Sequence, residues 1–157
     1  MELSSLLAWL ESSRLAATVG QSTLLTGLLS ATHLIGLTLL AGGAVFSGLS
    51  LLGVLFPDRP VLDLSTVVKR GMTFGLALSV ASGILLFLPR ASAAVENGIF
   101  RGKMLLVVTG AIFHFTVYRR AASRLDDATG VRRAAGVVGL LIWIGVAVAG
   151  CAYILLE

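Results

Sequence analysis

The chain carries two histidines, His33 and His114, and both fall inside long apolar runs. An imidazole can ligate a metal, relay a proton or hydrogen-bond across a helix interface. Within hydrocarbon a polar or ionisable side chain is costly, so each histidine is a candidate functional residue with a partner to be found. Each lies ten residues after the expected start of its run, Thr23 for His33 and Met104 for His114, and the two runs cross in the same direction. Equal depth on co-directional helices predicts two imidazoles facing one another across the interior of a bundle. Such a pair suits one haem b, with an imidazole nitrogen on each axial side of the iron and small residues leaving room for the flat ring.

The small residues that would make this room are Ser30 and Gly36, three positions either side of His33, and Gly110, one turn before His114. Helix two adds Gly75, Ser79, Ser82 and Gly83, and helix four adds Gly139 and Gly150. The same spacing has a second explanation, because small residues three or four apart are how membrane helices pack closely without any cofactor. A lone intramembrane histidine likewise serves by bonding to a serine, a threonine or a carbonyl.

Other chemistries find less support. Copper(I) prefers soft ligands, but Met72 is expected near one membrane surface and Met104 and Cys151 toward the other. The single cysteine excludes an internal disulfide and any cysteine-based zinc or iron–sulfur site within one chain. All eight carboxylates (Glu2, Glu11, Asp58, Asp63, Glu96, Asp126, Asp127, Glu157) fall at edges or in loops, which argues against hydrolysis, acid–base catalysis and carboxylate-driven proton transport.

The elements that must position the histidines follow from composition. The 157 residues are 57% hydrophobic and only 13% charged, with a mean hydropathy of +0.97. Soluble domains carry about 25% charge. One integral membrane domain over residues 1–157 is therefore expected, an all-α four-helix transmembrane bundle with spans at about 23–46, 71–88, 104–118 and 135–156. The first apolar run extends to Phe56, where Pro57 and Asp58 stop it, and Gly42–Gly43 permit a kink. The second ends at Pro89-Arg90; the third lies between Lys103 and Arg119-Arg120, continues past the membrane and turns at Gly130 into the fourth. Residues 3–12 space Leu3, Leu6, Leu7 and Leu10 helically beside Trp9, as a short interfacial amphipathic helix would. No cleavable signal peptide is expected, since the start is acidic where a basic region belongs.

The excess of Lys and Arg sets the orientation. Arg59, Lys69, Arg70, Arg119, Arg120, Arg124, Arg132 and Arg133 lie on one side, against Arg14, Arg90, Arg101 and Lys103 on the other. The first set is expected in the cytoplasm, which leaves both termini outside a bacterial inner membrane. Basic residues beside apolar runs, with no aromatic-interleaved stripe, argue against nucleic acid. Trp9 and Tyr153 suit an interfacial belt, Phe113 and Phe115 lipid or helix contacts, and Trp143 packing.

Through His33-Leu34-Ile35-Gly36 on the first span and His114 on the third, the chain resembles small bacterial four-helix membrane proteins of uncharacterised function. More loosely it is similar to four-helix b-type cytochromes and copper-resistance D-type membrane proteins. The cytochrome resemblance implies haem ligation by His33 and His114 and electron transfer between the quinone pool and a partner redox protein; two histidines allow at most one such haem. The leading expectation is thus a membrane-anchored electron-transfer subunit, more than an enzyme by itself. It would be embedded in lipid with a redox partner subunit or in a homo-oligomer, and quinone is a candidate ligand. The alternatives are a cofactor-free structural or assembly subunit and a metal or small-solute transporter.

Overall fold

The computed structural model describes residues 3–55, 61–118, 120 and 129–156. Its helices are α1 (Leu3–Glu11), α2 (Arg14–Gln21), α3 (Thr23–Leu51), α4 (Val61–Phe87), α5 (Ala91–Glu96), α6 (Gly98–Phe113) and α7 (Thr129–Leu156). A 3-10 turn (Leu88–Arg90) joins α4 to α5, and a π-helical turn (His114–Tyr118) follows α6. The described residues are helical apart from caps and turns, and four stretches are long and apolar enough to span a membrane: Thr23–Leu51, Thr66–Glu96, Gly98–Thr116 and Gly130–Ala152. The chain is an all-α, multi-pass membrane protein built on four long helices.

The ends of these helices have local causes. Ser22 caps α3 by accepting from the Leu25 amide at 3.2 Å, and Asn97 caps α6 by accepting from Ile99 and Phe100 at 2.9 and 3.2 Å. Helix α3 runs unbroken through Gly42–Gly43 and stops at Leu51, ahead of the expected stop at Pro57. Gly53 takes φ +76°, its amide donates to the Ser50 carbonyl at 3.1 Å, and that of Val54 donates to Leu49 at 3.0 Å. This is a Schellman terminus, which satisfies carbonyls that would otherwise be orphaned. Pro89 ends α4 as its missing amide requires. Gly130 lies inside α7 and does not form the turn before it. Pro57, Asp58, most of the loop after Tyr118 and the side chain of Tyr153 lie outside the described residues.

Helix α3 packs on α4 along one side and on α7 along another, while α6 packs on α7. The α3–α4 seam closes at Gly36 and Gly75. A Cβ on Gly36 would stand 2.8 Å from the Gly75 carbonyl oxygen, and one on Gly75 would stand 2.7 Å from that of Gly36. The α3–α7 seam uses Gly48 and Gly136 in the same way. Leu40, Ala44, Met72, Trp143 and Val146 form the buried centre.

One end of the bundle is capped by α1, α2, the 3-10 turn and α5. Glu11 accepts from the Ser92 amide at 2.7 Å, which ties α1 to the first turn of α5. Thr26 donates to the Val19 carbonyl at 2.7 Å and joins α2 to α3. Helix α1 exposes Leu3, Leu6 and Trp9, the apolar side that an interfacial helix turns to lipid. The opposite end carries Lys69, Arg70, Arg120, Arg132 and Arg133.

Candidate functional site

His33 projects from α3 onto α4. Its Nδ1 lies 2.9 Å from the Ser79 carbonyl oxygen and 3.2 Å from Ser82 Oγ. A backbone carbonyl only accepts, so Nδ1 carries the hydrogen and donates, leaving Nε2 as the acceptor nitrogen of the neutral ring. Ser82 Oγ spends its own hydrogen on the Leu78 carbonyl at 2.6 Å, the backward bond that a serine inside a helix can make. Gly83 makes space for the ring, for a Cβ there would stand 3.0 Å from His33 Cε1.

His114 is buried, 7% exposed, where α6 gives way to the π turn, and Phe115 meets its ring edge-on at 5.6 Å. Phe113, just before it, fills the space at Gly139 of α7. A π turn within a helix shifts the side chains after it around the axis, and such turns are frequent at functional sites.

The structure does not bring the two histidines together. Phe113 stands level with Gly139, and the same stretch of α7, Gly136 to Leu140, packs on Gly48 of α3. His114 is therefore level with the Gly48 turn of α3. His33 lies fifteen residues nearer the capped end, about 22 Å along the axis at 1.5 Å per residue. The nitrogens of a bis-histidine haem stand on the order of 4 Å apart, twice a typical metal–imidazole bond. Between the two levels lie Leu40, Ala44, Met72 and Trp143, packed together. His33 and His114 of one chain do not fit opposite sides of one haem.

The expectation of equal depth fails for two reasons. Helix α6 begins at Gly98, six residues before Met104, so His114 is sixteen residues into it. The remaining offset comes from how far α6 and α3 are each displaced along α7.

The small residues expected to leave room for a macrocycle are filled by neighbours. Gly36 lies against Gly75 and Ser79; a Cβ on Gly110 would meet Ile142 at 3.1 Å and Trp143 at 3.4 Å; one on Gly139 would meet Phe113 at 3.2 Å. Ser30 is half-buried. Their common role is close helix packing. Among the described residues two buried polar atoms lack a hydrogen-bond partner, Ser79 Oγ and Trp143 Nε1; Ser79 Oγ sits against Gly36, where the helix approach leaves no space for an acceptor. No cluster of three or more His, Cys, Asp or Glu suited to a metal occurs among the described residues.

Lys103, expected at the edge of the third span, stands five residues into α6. The readable signal for this was Asn97-Gly98, a capping residue that starts α6 well upstream of the lysine. The Glu11–Ser92 contact had no signal in the sequence, since its partners are 81 positions apart.

The four apolar helices and their glycine-lined seams define the class as a multi-pass α-helical membrane bundle. Within it, the chain belongs to a family of unknown function, DUF6644, whose model matches residues 6–155. No curated protein and no solved structure matches it.

Proposed function

We propose that the chain is a structural or assembly subunit of a membrane complex, in which histidine chemistry serves helix packing. The observation that carries this reading is the His33 Nδ1–H donated to the Ser79 carbonyl across the α3–α4 seam, beside the Gly36–Gly75 contact. The imidazole thereby holds two spans together in a medium with no water to compete. The basic end faces the cytoplasm in this reading, and both termini lie outside the inner membrane.

A second reading has one observation in its favour. Donation from Nδ1 to a backbone carbonyl is also how proteins orient a histidine whose Nε2 ligates a metal. On this reading the chain is a haem b electron-transfer subunit working between the quinone pool and a partner redox protein. His33 would supply one axial ligand, and the other would come from a partner subunit or a second copy.

The absorption spectrum of protein purified from haem-replete membranes separates the two. The packing reading expects a folded protein without a Soret band. It also expects His33→Ala to lower stability by about 0.6 kcal/mol, the average for interhelical membrane hydrogen bonds, and by no more than about 1.7 kcal/mol, the largest value for one. A Soret band that sharpens on dithionite reduction and disappears in His33→Ala overturns it in favour of haem.

A further inference from the structure

Lys103 is half-buried, five residues into α6, in an apolar stretch long enough to span a membrane. Its Cε and Nζ lie 3.8 and 3.9 Å from where a Cβ on Gly150 would stand, so the side chain reaches across onto α7. Gly150 continues the α7 stripe of Trp143 and Val146, both turned to the core. A lysine that merely anchors its helix would extend toward the headgroups at the capped end. Leu106 meets Gly145 and Gly110 meets Ile142, a register that puts Val148 and Ala149 level with the Lys103 backbone. The ammonium thus lies against α7 in the α6–α7 seam, one to two residues nearer the capped end than its own backbone.

Among the described residues it has neither a hydrogen bond nor an ion pair. A cation in an apolar span is costly and normally paired, so its partner lies outside the described residues. The seam opens sideways to lipid, because α6 packs mainly on α7 and leaves Met104 and Leu105, next to the lysine, 45% and 69% exposed.

We propose that Lys103 anchors a binding site for the anionic head of an amphiphile, a lipid phosphate or a fatty-acid carboxylate. The head pairs with the ammonium beside Gly150, and the apolar tail lies along the exposed side of α6.

Purified protein in neutral detergent is titrated with phosphatidylglycerol, oleate, phosphatidylcholine and inorganic phosphate, and thermal unfolding is followed by tryptophan fluorescence. Phosphatidylglycerol or oleate should raise the melting temperature saturably and phosphatidylcholine should not; which of the two acts identifies the head. Saturation by inorganic phosphate as well would show that the head alone suffices. Lys103→Gln should weaken binding roughly tenfold or more, the scale of a lost charge-assisted contact. The same variant should melt higher than the parent without ligand, because it removes an unpaired cation; a structural role for the lysine would lower that temperature. Arg101→Gln removes the same charge from an exposed position two residues away and should leave binding unchanged. No saturable response to any anion, or equal losses in the two variants, overturns the proposal.

Discussion

Replacing Gly36 by alanine tests the α3–α4 seam directly. The added Cβ would stand 2.5 Å from Ser79 Oγ and 2.8 Å from both the Gly75 carbonyl oxygen and the Ser79 amide nitrogen. Ordinary contact between heavy atoms needs about 3.5 Å, so the shortfall is roughly 0.7 Å or more against each of the three. The hydroxyl can rotate away, but the other two atoms are backbone, and relief requires α4 to move as a unit. A displacement of that size forfeits a quarter to a half of the dispersion energy of each contact along the seam, and overpacking of this kind costs about 1–3 kcal/mol. It also stretches the bond from His33, one turn away, to the Ser79 carbonyl. Gly42 on the same helix has nothing within 4 Å of its Cβ position, so Gly42→Ala should be neutral or slightly stabilising, as the better helix former replaces glycine. Ser79→Ala in the Gly36→Ala background removes the nearest of the three contacts and should restore only part of the loss. The measurement is reversible unfolding in mixed micelles or bicelles, with the three variants compared with the parent. Equal stability of Gly36→Ala and Gly42→Ala would refute the close seam and the packing role assigned to its glycines.

Two further outcomes follow from the ends of the elements. Gly53→Ala places a Cβ at φ +76°, and the left-handed conformation costs a non-glycine residue about 1–2 kcal/mol; equal melting temperatures for the variant and the parent would contradict the Schellman terminus. Glu11→Gln keeps an acceptor oxygen for the Ser92 amide but removes its charge, whereas Glu11→Ala removes the bond. The alanine variant should lose on the order of 1 kcal/mol and expose α1 and α2 to faster hydrogen exchange, with the four spans unchanged. Accelerated exchange throughout the spans would show that the cap holds the whole bundle and not merely its own end.

Much of the fold was legible from residue types alone. Apolar runs of spanning length between charged edges identify membrane helices because lipid leaves the backbone no other partner than itself, and the four spans follow from that. Pro89 marked the end of α4 through local chemistry. Gly53 could have marked the end of α3, but the apolar run through Leu55 and Phe56 pointed to Pro57; the backbone bonds from Gly53 and Val54 decided it. The glycines were readable as small-residue stripes, while their two uses, space for a ring or contact between backbones, differ only in what lies opposite.

By itself, the sequence determined the solvent, the number of crossings and the presence of two imidazoles within them, since hydropathy and span length are properties of contiguous residues. Only the tertiary structure decided the axial level of each helix. Contacts such as Gly36 with Gly75, Gly48 with Gly136 and Phe113 with Gly139 set that level, and they join residues far apart in the chain. Counting from the start of an apolar run cannot reveal such an offset, because sliding one helix along another leaves its own hydrophobic pattern unchanged. That sliding separates His33 from His114.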